Sequence, residues 1–204
     1  MEGEGDERGS LAALLRGSCK GRADDVAGRL LDRFGSTGDV FSASAESLWA
    51  VMPDEDAAVD QIQLVQTALR QALRSRLFQG PLLSNEGALI EYLTFTMAYA
   101  ATERFRVLFL DARNCLLRDE VIATGCIRGV VIHPREIMRR AMEVGATALI
   151  LVHNHPSGDA APSAADIETT RRVAAAATIM GLHLHDHLIV ARSGHSSLKR
   201  LGFL

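Results

Sequence analysis

The sequence lacks the features that would assign it to a specialised physical class. Its cysteines number three (Cys19, Cys115 and Cys126), scattered and without a CxxC pair, so they cannot form a disulfide framework. That usage suits a reducing compartment in which thiols are buried as small hydrophobes, and a cytoplasmic protein is expected. No apolar run approaches the ~20 residues of a membrane-spanning helix. Basic charge is not in excess either. The net charge of −3 argues against strong non-specific binding to nucleic acid or to an anionic membrane. The opening MEGEGDERGS is acidic and glycine-rich, which excludes a secretory or transit signature and predicts a frayed tail over 1–10. Neither internal repeats nor low-complexity segments are present.

What remains is an ordinary globular composition: 204 residues, 48% hydrophobic and 23% charged. A chain of this length forms one domain, or a domain with a small appendage. It buries a sufficient core without disulfides or a structural metal. A metal site, if there is one, serves function rather than folding.

Residues 11–80 read as helices. Leu11, Leu14 and Leu15 mark one apolar face, and Val26, Leu30, Leu31 and Phe34 mark a second, ended by Gly35. Ser44 to Met52 makes a third helix, stopped at Pro53. A longer one runs from Ala57 to Phe78, with Ile62, Val65, Leu69, Leu73 and Phe78 at helical spacing and the acids Asp54, Glu55 and Asp56 at its start. Gly80-Pro81 is a strong breaker and sets the expected domain boundary, with a second domain over 81–204.

Past that point a helix over Asn85–Tyr99 gives way to alternation. Phe105–Leu110 reads as a strand, Asp111–Asn114 as a turn, and Cys115–Thr124 and Arg128–Ile132 as further strands. Pro134 opens a helix to Val144, with Gly145 as its stop. Ala146–Val152 is a buried strand, Ser163–Met180 a helix and Leu182–Val190 a strand. The pattern predicts an α/β or α+β fold, a sheet flanked by helices.

The chemistry concentrates in His153-Asn-His155-Pro-Ser-Gly-Asp-Ala-Ala-Pro-Ser163-Ala-Ala-Asp166. In extended chain, residues two apart point the same way, so both imidazoles can face one metal. Ser163 suits a helix N-cap, which puts Asp166 in the first turn and near the strand end if the loop folds back. An isolated HxH recurs by chance, and an acid in a first helical turn is commonly a solvated residue. Together, two histidines and a carboxylate with a fourth position open are the make-up of a catalytic zinc site.

The spacing His153-x-His155-x7-Ser163-x2-Asp166 resembles the signature of the JAMM (MPN+) metalloproteases. The wider sequence is similar to the bacterial RadC family through Glu103-x-Phe-x-Val-Leu-Phe-Leu-Asp-Ala-Arg-Asn114, Pro134-Arg-Glu136, His153-Asn-His-Pro-Ser-Gly158 and Asp186-His187. The likeness covers roughly residues 85–204. It implies a JAMM/MPN-like curved mixed sheet with helices on both sides, preceded by a small helical region.

The resemblance also implies roles. His153, His155 and Asp166 would hold one Zn2+, lowering the pKa of its water to about 7. Glu103 would take the proton from that water and pass it to the leaving amine. Ser163 would hold the developing oxyanion or the zinc-bound water. The implied activity is a metallopeptidase or isopeptidase-like amide hydrolase acting on a peptide or protein.

Alternatives are a DNA-repair-associated module or a non-catalytic MPN-type interaction module. Against the first, the family's N-terminal Gly-x-Gly turn is replaced here by Met52-Pro-Asp-Glu-Asp-Ala, with three acids where a phosphate would approach. Of the other histidines, His133 suits a helix start and His195 an exposed turn. His183, His185 and His187 alternate and in principle offer a second metal face. Cys126 stands alone. The substrate and the oligomeric state are not legible at this level.

Overall fold

A computed structural model describes the backbone of residues 2–125 and 132–204, with side chains from Glu7 onward. Two compact units divide between Ala72 and Leu73.

The first unit is helical: α1 (Glu2–Leu15), α2 (Ala23–Phe34), α3 (Thr37–Val40), α4 (Ala45–Val51) and the start of α5 (Asp56–Leu77). Its core gathers Leu11, Leu15, Cys19, Val26, Leu30, Val40, Leu48 and Ile62; Leu11, Leu15, Val26, Leu30 and Ile62 lie on the faces expected from helical spacing. Side chains of Ser36 and Ser44 cap α3 and α4 by accepting from backbone N–H groups. Three expectations are corrected. The stretch expected to fray belongs to α1, which starts at Glu2. The short α3 carries no apolar period and was not foreseen. Glu55 turns inward to pair with Arg22 at 2.6 Å, so only Asp54 and Asp56 of the three acids are exposed.

The boundary falls inside α5, ahead of Gly80-Pro81, because the two ends of this helix serve different cores. Ile62 is buried in the first; Leu77, with Leu73 beside it, belongs to the second. Leu69 and Phe78, expected on the buried face, are exposed. The breaker ends the helix, not the unit.

The second unit is built on one mixed sheet in the order β2-β1-β3-β4-β5. The strands are β1 (Arg104–Leu110), β2 (Leu116–Thr124), β3 (Ala148–Asn154), β4 (His183–Ala191) and β5 (Gly194–Ser197). The β1–β2 turn is closed by Asp111, whose carboxylate accepts from the amides of Arg113 and Cys115. Every residue of the central strand β3 is buried. It runs antiparallel to β1 and parallel to β4, and the connection to β4 is α8 (Ala164–Ile179).

On one face lies α6 (Glu86–Met97), with Leu89, Tyr92 and Leu93 packed on Leu108, Ile150, Val152 and Leu188. On the other lie α7 (Pro134–Val144) and α8, with Ile137, Ala141 and Val173 packed on Val107, Leu149 and Leu151. Gly145, left-handed at φ 67, stops α7 as expected. The expected mixed sheet with helices on both faces is what forms. The strand expected over 128–132 lies outside the described residues except for Ile132, which is in no strand, and Cys126 lies outside them as well. β5 was not anticipated, since Gly-His-Ser-Ser shows no apolar alternation; His195 is exposed on it rather than in a turn. Among the described residues, no helix is long and apolar enough to cross a membrane.

Candidate metal centre

The candidate site forms where β3 ends, at the carboxyl edge of the parallel pair β3/β4, a favoured place for ligands in open α/β sheets. His153 is the penultimate residue of β3 and is 1% exposed. It lies opposite Phe105 of β1 and Ile189 of β4. The Phe105 ring stacks on its imidazole with centroids 6.1 Å apart. His155 keeps the strand course, since its N–H donates to the Val190 carbonyl at 3.0 Å. Its side chain therefore emerges on the same side as that of His153.

Asp166 arrives from the other direction. The 156–163 loop folds back because Ala160 is buried against Ile189, Ala191 and Leu198, with Ile167 of α8 alongside. Arg192 fastens the loop beside Gly158, which sits at φ 91 where an added Cβ would meet the guanidinium at 3.1 Å. Ser163 then caps α8 in a full capping box with Asp166. The Ser163 hydroxyl and N–H donate to Asp166 Oδ2 at 2.6 and 2.7 Å. The proton that was expected to serve an oxyanion is thus given to the Asp166 carboxylate.

The three groups converge. His153 Nε2 lies 3.0 Å from His155 Nε2 and 3.1 Å from Asp166 Oδ1, and His155 Nε2 lies 3.4 Å from Asp166 Oδ2. Among the described residues this is the one cluster of His, Cys, Asp and Glu with metal-holding geometry. Donors 2.0–2.2 Å from a tetrahedral zinc stand roughly 3.3–3.6 Å apart, so the triad is slightly contracted around the space an ion would fill.

The other ring nitrogens support that fit. His155 Nδ1 donates to the Asp159 carbonyl at 2.8 Å, so in the neutral ring its Nε2 is the unprotonated nitrogen. His153 Nδ1 faces His187 Nε2 at 2.8 Å, and His187 Nδ1 faces the Thr170 hydroxyl at 2.6 Å. The donor set is the one a divalent cation with imidazole and carboxylate preference requires.

Electrostatics point the same way. The hydrogen bond to Asp166 raises the His155 pKa above the usual imidazole value against the opposing effect of burial; the charges of Asp166 and Glu103 add to it. Burial acts to raise the Asp166 carboxyl, but its bonds to His153 and His155 outweigh that and hold it far below the carboxylate range. Burial, then the charge of His153, keeps His187 well below the imidazole range and hence neutral.

Glu103 is half-buried in the residue before β1. Its charge is felt at His155, and its carbonyl accepts from the Gly125 amide at 2.9 Å. Its segment is held to β3 by Asn154, the residue between the two histidines. Fully buried, Asn154 points to the opposite face from His153. Its Oδ1 accepts from the Arg104 N–H at 2.8 Å, and its Nδ2 donates to the Thr102 carbonyl at 3.2 Å. One amide thus clips both neighbours of Glu103 to β3. Asn154→Ala is expected to cost about 1–3 kcal/mol, as a buried polar pair left unmatched does, and to speed hydrogen exchange at the Arg104 amide. Unchanged protection of that amide would remove Asn154 from this role.

The chain's likeness to known proteins follows the same residues. A family model described as the RadC-like JAB domain matches residues 83–203. A curated relative described as a UPF0758 protein, from Rhodobacter capsulatus, is 46% identical over 179 residues, which is 88% of this chain and 84% of that protein. The chain belongs to the RadC family. Its JAB-type domain carries a His-His-Asp triad able to hold a metal.

The second metal face considered for this RadC-family chain does not form. Opposite Leu149 and Ile150 of β3 stand Leu184 and Asp186, so His185 is an extra residue in the ladder. The bulge reverses the alternation. His187 joins Leu149, Leu151 and His153 on the α8 face, while His183 and His185 stay with each other, rings 4.6 Å apart. His185 bonds Asn114 at 2.6 Å and lines a separate cleft of about 360 Å³ with Leu82, Leu89, Asp186 and Lys199. His133 precedes α7 at the N-cap position, as expected. Sequence reading missed Asn154, His187 and Thr170. The pair Asp186-His187 was the one available signal, and its Asp186 proves to organise the β4–β5 end by accepting from Ser197 and Lys199.

Proposed function

We propose that this chain is a zinc-dependent hydrolase of amide bonds, a metallopeptidase or isopeptidase-like enzyme acting on a peptide or protein substrate. The reading rests on one observation: two imidazole Nε2 atoms and a carboxylate converge within 3.0–3.4 Å of one another, and the charge of a second carboxylate, Glu103, is felt at His155. His153, His155 and Asp166 would hold the ion. When bound, zinc supplies Lewis acidity, polarising a carbonyl and lowering the pKa of water at the position the protein leaves open to about 7.

The remaining chemistry belongs to the chain. Glu103 accepts a proton from the attacking water and returns it to the leaving amine. Ser163 holds Asp166 Oδ2 with two hydrogen bonds, which leaves Oδ1 turned to His153. Helping an oxyanion as well requires its hydroxyl to exchange one of those bonds for the substrate. Phe105 covers the buried side of His153 and keeps water from reaching it there. The proposal extends to partners: exposed Asp54 and Asp56 would repel phosphates, so duplex DNA is expected to bind weakly.

The test is turnover of fluorogenic linear and isopeptide-linked substrates by zinc-loaded protein. Hydrolysis that stops on chelation and returns with zinc supports the reading; hydrolysis indifferent to chelation contradicts it.

A pH dependence follows. Proton and metal compete for the His155 lone pair, and this histidine holds its proton more tightly than usual. Zinc affinity is expected to fall as pH drops, beginning above the ordinary imidazole value of about 6.5. The zinc-free chain shows the opposite sign. Because the folded pKa is raised, the His155 contribution to stability is complete below the unfolded value and disappears as pH rises through the folded one. Melting curves across that window, with and without zinc, should diverge as pH increases; parallel curves would rule out the competition.

A further inference from the structure

His187 and Thr170 touch neither solvent nor the space between the ligands, yet they connect two of those ligands. Both are fully buried. Thr170 follows Asp166 by one helical turn of α8, and its hydroxyl donates to the Asp166 carbonyl at 2.6 Å. A carbonyl only accepts, so that bond uses the single hydroxyl proton. The Thr170 oxygen is then left as an acceptor, and the partner 2.6 Å away is His187 Nδ1, which must carry the proton. A neutral imidazole has one N–H. His187 Nε2 is therefore bare and can only accept, which makes His153 Nδ1, 2.8 Å away, the donor. The consequence reaches the site: in the neutral ring His153 Nε2 carries no proton and turns its lone pair toward His155 and Asp166, whereas a hydrogen bond from this nitrogen to Asp166 belongs to the charged ring.

We propose that His187 and Thr170 are positioning residues that lock His153 in its Nδ1–H tautomer, presenting a metal-ready Nε2 before any ion arrives. The relay starts at one ligand's side chain and ends on another ligand's backbone, so the two are set together. It depends on the bulge at His185, without which His187 would face α6 instead. The inference deepens the metal reading above and rests on it only for the affinity arm of the test. Outer partners of ligating histidines commonly fix the tautomer, and their loss weakens metal binding about 10–100-fold.

The experiment uses the full chain with 15N-labelled histidine, zinc-free, reading tautomers from long-range 1H–15N correlations. Zinc affinity is then measured by competition with a chromophoric chelator. The parent is expected to show Nδ1–H at both His153 and His187. Thr170→Val removes the terminal acceptor at nearly constant shape. His187 should then no longer be held as Nδ1–H, His153 should populate its Nε2–H form, and zinc should bind about 10–100-fold more weakly. Thr170→Ser restores the hydroxyl and should restore both readouts, which separates the relay from a general packing defect. An unshifted His153 tautomer in Thr170→Val, or a parent already showing Nε2–H, overturns the proposal. A parent that shows the Nδ1–H tautomers and their loss in Thr170→Val, yet binds no zinc, keeps the relay and refutes the metal reading instead.

Discussion

Alanine in place of His155 is expected to abolish zinc uptake at metal concentrations that saturate the parent chain. His155 is the better probe of the two histidines, because His153 is buried to 1% exposure and its loss also strips His187 of its donor. His155 stands at the rim of the site, and its removal takes away one of three protein donors. Deleting an outer-shell partner alone weakens metal binding about 10–100-fold, so deleting a ligand must exceed that. Zinc at a thousandfold over its Kd stabilises a protein by about 4 kcal/mol, a shift on the order of 10 °C in melting temperature for a chain of this size. The parent should show that shift and His155→Ala should not. Equal zinc-induced shifts in the two proteins would mean that the ion, if bound, sits elsewhere.

The second large effect is catalytic. Glu103→Gln preserves shape and hydrogen bonding but cannot take a proton. Loss of a positioned general base lowers rates about 10²–10⁴-fold. The triad reaches its contacts without Glu103, so the variant should keep the parent's zinc content and affinity while losing turnover by that factor. Loss of zinc would instead identify Glu103 as a ligand, and retention of full turnover would remove it from the chemistry.

These two residues also show what the sequence could and could not reveal. His153 and His155 were legible because a strand has a period of two and the apolar run before them identifies the strand. Asp166 was legible because Ser163-Ala-Ala-Asp166 fits a capping box, which places the carboxylate in the first turn of α8. Glu103 carries no local signal; only the resemblance singled it out, and in the fold it is Asn154 that ties its segment to β3. Asn154 itself read as the spacer between two histidines. Its role depends on what lies across the sheet.

His187 was hidden for a different reason. Strict alternation groups it with His183 and His185, and one extra residue in the β3–β4 ladder moves it to the other face. Register shifts of this kind are fixed by packing between strands. Thr170 is an ordinary helical threonine until Asp166, one turn earlier, is seen to face the two histidines. The division inside α5 was hidden as well, since a helix that serves one core at each end shows continuous spacing along its length.

The central claim, that His153, His155 and Asp166 hold a catalytic zinc, is tested most directly by metal analysis of chain purified without chelator, combined with X-ray absorption at the zinc edge. One zinc per chain is expected, bound by two imidazole nitrogens and oxygen donors at about 2.0–2.2 Å. A chain that carries no zinc and takes up none when it is supplied in equimolar amount would contradict the account.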